Sequence, residues 1–430
     1  MPALQDAKLR HAYHYLKLLN QANELYLQGN KAAIKGLSLF DDEWSNIQAG
    51  QAWAASLVTE NNFAAGLCSD YPNLGRNCLI LRQHPREQIQ WITIALQATS
   101  YLQRKSTTGI HLGNLGISYL YLGEYEQAVR SLTHRIDIAR EVGDTRGEHR
   151  ALGNLGVAYK NLGNLTQAID CFEQSLSIAR KHGNHQSQAQ AIGNIANIYK
   201  LQGNYKTAIS YYQQVLDIFQ ETGDQYNECN TLNNLALTYL ALPDQNMAKK
   251  ALQAAFELAS ALNISKAKGQ ILNNMGLIDL REGRFQESHK KYVQALEIAR
   301  ETGNRRDEGN ALNNLGNLSL QRDEIDQALD FYNQALHVAK EIGDRYGEAN
   351  ALGNIGNTYL AKEEYQKVVG YYTQDFQIRL DLGDLRGQKI ALNAISQAYY
   401  SLGKKSMASH YQQQAEKTEE VLMQSQSISF

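Results

Sequence analysis

The sequence predicts an all-α fold, a solenoid built from antiparallel helix pairs. Three observations carry that prediction. A nine-residue pattern returns in fixed phase: HLGNLGISY begins at His111, ALGNLGVAY at Ala151, AIGNIANIY at Ala191, TLNNLALTY at Thr231, ILNNMGLID at Ile271, ALNNLGNLS at Ala311, ALGNIGNTY at Ala351 and ALNAISQAY at Ala391, a forty-residue period without one insertion. Such a period marks units that bury their apolar faces only against their neighbours. Proline occurs 4 times in 430 residues, far below the usual share of about 5%, which argues against a loop-rich or all-β chain. The 32 glycines fall mostly in columns of the same period, where glycine serves as a helix end.

Residues 1–104 come first and carry helical patterning without the full motif. LRHAYHYLKLLNQANELYLQG, FDDEWSNIQAGQAWAASL and HPREQIQWITIALQATSYL each read as helical. The last keeps the forty-residue phase, with Ile92 and Ala95 at the positions of Leu132 and Arg135, while its partner around Tyr71–Gly75 is degenerate. This segment is expected to be a cap of degenerate helical pairs, as terminal repeats often are. Asp41, Asp42 and Glu43 read as the acidic cap of a helix that Trp44 begins to bury. Residues 105–424 then form eight forty-residue units, and 425–430 a tail.

Each unit reads as two helices. In the second, Asp144 caps a helix running to about Leu162, and Gly163 ends it by supplying the left-handed conformation. A second helix follows with Leu165, Ala168, Ile169, Phe172, Leu176 and Ile178 on one stripe, and Gly183 ends it. Gly156, Gly276, Gly316 and Gly356 stand where a partner helix can approach closely. Pro243 is the proline inside the array, at a turn where other units carry glycine.

Leu155, Gly156, Tyr159, Ala168 and Phe172 together resemble the tetratricopeptide repeat. The fifth unit matches less fully, with Met275 and Gly276 leading to Ser288, Tyr292 and Ala295. The period exceeds the usual length of about thirty-four and is similar to that of LGN-type adaptors and kinesin light chains. Gly-Asp or Gly-Asn pairs, such as Gly343-Asp344 and Gly303-Asn304, replace the closing proline of that family. The N-terminal segment resembles the helical region that joins STAND NTPases to their repeat sensors, although the sequence holds no P-loop GxxxxGK[ST]. The resemblance implies a right-handed superhelical solenoid whose first helices line a concave groove, and extended peptides held in that groove.

One column on the first helices is Asn114, Asn154, Asn194, Asn234, Asn274, Asn314 and Asn354, broken by Ala394. Four residues before these, on the same helix face, stand Arg150, Gln190, Asn230, Gln270, Asn310 and Asn350; three after stand Asn197, Asn317 and Asn357. A further turn back, Arg146, Lys266, Arg306 and Arg386 form a basic margin. An asparagine amide can pair with both the N–H and the C=O of an extended peptide, and arginines can meet carboxylates. The expected partner is therefore an extended protein or peptide segment, with acidic side chains favoured by the margin. The alternative is that the column is structural, its asparagines hydrogen-bonded to neighbouring helices. If the groove reading holds, Asn274→Ala with Asn314→Ala should abolish capture and leave the fold intact.

Other classes are disfavoured. The formal net charge is −2, so no basic field points to nucleic acid. No apolar run is long enough for a membrane span and the N-terminus has no signal core, so a cytoplasmic chain is expected. Cys68, Cys78, Cys171 and Cys229 lack metal or disulfide spacing and read as reduced thiols, which leaves the sequons at Asn164, Asn263 and Asn317 without meaning. His11 and His14 are a helical turn apart but lie among tyrosines; His182 and His185 flank a turn. GNLG at Gly113 falls mid-helix and is no phosphate loop. No enzyme, cofactor or metal is expected, and self-association is left open. The second reading is a sensor or regulatory module of a STAND-type signalling or conflict system, acting through a separate effector chain.

Overall fold

The structure, a computed structural model, describes residues 2–242 and 245–427. Pro243 and tail residues 428–430 lie outside the described residues. Among those described, the chain forms 21 α-helices and no strand. The first five are α1 (Pro2–Leu27), α2 (Asn30–Ala55), α3 (Asn62–Leu74), α4 (Arg76–Arg82) and α5 (Pro85–Tyr101). The repeats follow as α6 (Lys105–Leu122), α7 (Tyr125–Val142), α8 (Thr145–Asn161), α9 (Leu165–Lys181), α10 (His185–Leu201), α11 (Tyr205–Thr222), α12 (Gln225–Tyr239) and α13 (Asn246–Ala261). The last are α14 (Ser265–Arg281), α15 (Phe285–Glu301), α16 (Arg305–Gln321), α17 (Ile325–Glu341), α18 (Arg345–Ala361), α19 (Tyr365–Asp381), α20 (Leu385–Ser401) and α21 (Lys405–Ser427). The chain divides into two compact units, Met1–Ile198 and Tyr199–Phe430. That division runs through α10, whereas the sequence suggested a change of character at residue 104.

In the N-terminal unit, α1 and α2 pack along each other and α3 lies against both and against α5. Leu16, Leu19, Phe40, Ile47 and Tyr71 are buried between them. The Tyr71 hydroxyl donates to the Ala12 carbonyl at 2.7 Å, so its burial leaves no polar group unpaired. Trp44 stacks between Phe40 and Trp91 at centroid distances of 4.9 and 5.7 Å. Here the sequence reading needs correction. Asp41, Asp42 and Glu43 lie inside α2, which begins at Asn30, and cap nothing. Asp41 instead takes a two-pronged bond from Arg82, both prongs 3.0 Å. From α5 to α9 each helix packs on the next, and α6 also touches α8.

The C-terminal unit repeats this plan from α11 to α21, with the first helices α12, α14, α16 and α18 touching in succession. The local causes are those the sequence proposed. Asp144, Asp224, Asp344 and Asp384 each accept the amide three residues on, an N-cap that satisfies an otherwise orphaned donor. Gly163 and Gly183 take φ of 82° and 62°, the left-handed region that favours glycine. A Cβ on Gly316 would stand 2.5 Å from the Tyr332 ring, and one on Gly156 2.7 Å from Phe172. The small residue in one helix thus makes room for the large ring in the next. The final helix, α21, passes through 424 and takes in the start of the expected tail.

One column shows how a repeat can change its chemistry and keep its shape. Tyr359 stacks on Tyr371 and Tyr399 on Tyr411, both at 5.5 Å. In the fifth unit the equivalent positions are Asp279 and Lys291, which form an ion pair that Arg284 joins. Asp279 is buried, so two cations balance a desolvated carboxylate where the third, seventh and eighth copies place stacked rings.

Candidate functional site

The first helices of each unit line an open groove. In the C-terminal unit the groove has a volume of about 640 Å³, and its walls include Asn234, Gln270, Asn274, Asn310, Asn314, Asn317, Asn350, Asn354 and Asn357. In the N-terminal unit a groove of about 660 Å³ is lined by Asn114, Arg146, Arg150, Asn154, Gln190 and Asn194, among others. Most of the expected residues therefore gather in two places. Asn197 and Asn230 are half-buried outside these walls. Lys266, Arg306 and Arg386 are exposed and line neither groove. Arg306 is engaged with Asp344 at 3.2 Å.

The two grooves differ in how their amides are used. In the C-terminal unit a second asparagine column, Asn233, Asn273 and Asn313, stands one residue ahead of the expected one. The Asn274 amide donates to Asn233 Oδ1 at 2.8 Å, Asn314 to Asn273 at 3.4 Å and Asn354 to Asn313 at 3.3 Å. These bonds link each first helix to the one before it. Deleting Asn274 and Asn314 together therefore breaks repeat-to-repeat bonds, and the substitution expected to spare the fold does not isolate binding. The signal was present in the sequence as the doubled asparagine of TLNNLALTY, ILNNMGLID and ALNNLGNLS.

Asn317 and Asn357 also have internal work. The Tyr332 hydroxyl donates to Asn317 Oδ1 at 2.7 Å and Tyr372 to Asn357 Oδ1 at 2.6 Å. Both rings are buried. In the fifth unit Leu277 occupies the asparagine position, and the buried Tyr292 hydroxyl, beside Ser288, makes no hydrogen bond of acceptable geometry. The Ser288 hydroxyl donates to the Gly276 carbonyl instead.

The second helices contribute charge that the sequence reading did not foresee. Arg379 binds Asp375 at 2.7 Å, Asp384 at 2.6 Å and Asn350 at 3.2 Å. Burial lifts the Asp375 carboxyl to about 6, more than its attraction to Arg379 lowers it. Gln270 donates to Asp307 at 2.9 Å. The charged residues on the walls of the C-terminal groove are Asp307, Asp375 and the fully engaged Arg379.

In the N-terminal unit the column ahead of the asparagines is glycine, at Gly113 and Gly153. A Cβ at Gly153 would meet nothing within 4 Å, so the groove floor there is bare. Asn114 donates to Asn73 of α3 at 3.3 Å, which carries the asparagine register back into the degenerate pair. Asn154 and Asn194 make no hydrogen bond among the described residues. Arg76, Arg135, Arg146 and Arg150 line this groove with one carboxylate, Asp144, and Arg135 takes it.

The residues weighed for other chemistry are placed as packing or surface groups. His11 and His14 both rest on Tyr15 at 4.5 and 5.0 Å. All four cysteines are buried. Burial pushes the thiols up, Cys68 to about 12 and Cys78 and Cys171 to about 11, away from the reactive thiolate. Among the described residues no helix is long and apolar enough to cross a membrane.

The tetratricopeptide repeat family profile matches residues 107–181, 147–221, 187–261, 268–341 and 309–381. No curated protein sequence matches the chain. Among solved structures, the apo form of the quorum sensor NprR from B. thuringiensis is 14% identical, covering 80% of this chain and 97% of its own, with a TM-score of 0.54. Aspartyl phosphate phosphatase F from Bacillus subtilis is 10% identical, covering 78% of this chain and 93% of its own, with a TM-score of 0.56. A STAND protein with a tetratricopeptide repeat sensor from Pyrococcus horikoshii is 15% identical, covering 96% of this chain and 66% of its own, with a TM-score of 0.47. At these identities the first two likenesses bear on the fold, and the fold they share is a helical-repeat solenoid.

Proposed function

The chain belongs to the tetratricopeptide repeat family, and on that premise we propose that it is a scaffold that holds an extended peptide or partner segment along its first helices. The observation that carries this is the pair of open grooves lined by hydrogen-bonding side chains from first helices. An extended segment presents unpaired N–H and C=O groups, and amide side chains answer both. Sites on a rigid helical array also hold their geometry better than sites on loops. The test is cross-linking mass spectrometry on the chain with a partner captured from its own cell. Links should concentrate on groove residues of first helices; links confined to second helices would refute the reading.

A second reading is that the chain is the sensor of a signalling system acting through a separate effector chain. Its support is that α1 to α5 enclose a core of their own, an extension beyond what a peptide groove needs. Under that reading the effector's cross-links fall on α1 and α2.

A further inference from the structure

We infer that recognition falls to the groove of the N-terminal unit, and that its ligand is an acidic extended segment whose carboxylates sit on Arg76, Arg146 and Arg150. This rests on the scaffold reading and narrows it to one groove and one ligand chemistry.

The argument is one of unmet bonding capacity. In the C-terminal groove Asn274, Asn314 and Asn354 each donate one amide hydrogen to the neighbouring repeat, and the one arginine, Arg379, binds three internal acceptors. In the N-terminal groove Asn154 and Asn194 hold no hydrogen bond, and Arg76, Arg146 and Arg150 join no ion pair among the described residues. The carboxylate that could have answered them, Asp144, is held by Arg135 and by the Gly147 amide at 2.9 Å. Arg76 is half-buried; its burial and the like charge of Arg150 pull it below the usual arginine range. A half-buried guanidinium beside a like charge is relieved by an anion, and each of the three arginines offers a planar fork that fits a carboxylate. The bare floor at Gly153 leaves room for a backbone to lie close to the free amides.

Because the charge and not a shaped pocket does the selecting, a generic acidic peptide is a fair probe. Fluorescence anisotropy would compare the full chain binding a labelled peptide of alternating Glu and Gly with its Gln counterpart. The Glu peptide should bind, weaken with added salt, and exceed the Gln peptide by about tenfold or more. Arg146→Gln with Arg150→Gln should remove that margin, with circular dichroism showing the fold retained, since both side chains are exposed. Lys181→Gln with Lys290→Gln, which removes two exposed cations outside both groove walls, should leave the margin unchanged. No binding of the Glu peptide overturns the inference. Equal binding of both peptides, lost with Asn154→Ala and Asn194→Ala, overturns the acidic ligand and keeps the groove. Peptide binding indifferent to every groove substitution overturns both. An oligothymidylate bound more tightly than the Glu peptide, and lost in the arginine variant, assigns the arginines to nucleic acid instead.

Discussion

Replacing tyrosine by phenylalanine should have opposite effects in two adjacent repeats. Tyr332 and Tyr292 occupy the same column and both are fully buried. The Tyr332 hydroxyl donates to Asn317 at 2.7 Å, and a hydrogen bond of that kind contributes about 0.5–1.5 kcal/mol net. The Tyr292 hydroxyl makes no well-formed hydrogen bond, the Ser288 hydroxyl beside it donating to the Gly276 carbonyl, and a buried unsatisfied donor is a liability of about 1–3 kcal/mol. Tyr332→Phe should therefore lose about 1 kcal/mol. Tyr292→Phe should be neutral or gain up to about 1–2 kcal/mol, less a little for the void left by the oxygen. The difference between the two is about 2 kcal/mol, large enough to read. Urea unfolding followed by far-ultraviolet circular dichroism is the assay, fitted with a nearest-neighbour model because long repeat arrays need not unfold in one step. Leu277→Asn supplies the missing acceptor but gives up the apolar packing of Leu277, so it should be about 1 kcal/mol more favourable in the wild type than in the Tyr292→Phe background. If both phenylalanine variants lose the same amount, or Leu277→Asn acts equally in both backgrounds, the hydroxyl reasoning is wrong.

Two further outcomes follow from the same structure. Gly147→Ala should destabilise by about 2 kcal/mol or more although alanine is the better helix former by about 1 kcal/mol; the new Cβ would lie 2.2 Å from Asp144 Oδ2 and displaces the Arg135 guanidinium, and hydrogen exchange across α8 reads the loss. Asp375 has its carboxyl raised from 3.8 to about 6, so the folded state holds that proton more tightly than the unfolded one. Its contribution is complete below pH about 4 and is lost as pH rises through about 6; Asp375→Asn should flatten the fall in unfolding midpoint across that window, and an unchanged slope would refute the assignment.

The fold was legible because the same causes recur in each repeat and each leaves a letter in the sequence. Gly163 and Asp144 announce a stop and a start, and Gly316 announces the bulky ring sixteen residues on. The cap was harder to read: α2 begins at Asn30, well before Trp44, and Trp44 stacks on Trp91 of α5, a contact between helices that no local period encodes. The groove was legible as a column and illegible in its bonding. Asn154 and Asn274 share a column, yet one is free and the other is tied to Asn233. That difference turns on whether the residue forty-one back is glycine or asparagine, a partner that becomes visible only when neighbouring helices are laid side by side. Arg379 and Asp375 were missed for a related reason, since they reach the groove from a second helix.

The asparagine bonds set a rule for how such a chain can change length. Asn114 to Asn73, Asn274 to Asn233, Asn314 to Asn273 and Asn354 to Asn313 all span the same sequence separation of 41. Excising one whole period between Asn274 and Asn313 would bring Asn314 opposite Asn233 and restore the bond that was cut. Excising one residue more or fewer would turn the amide by about 100° around its helix and leave the next repeat without its contact. Growth and loss in this array are thus quantised, with duplication of whole repeats the tolerated step and small insertions inside a helix the disruptive one.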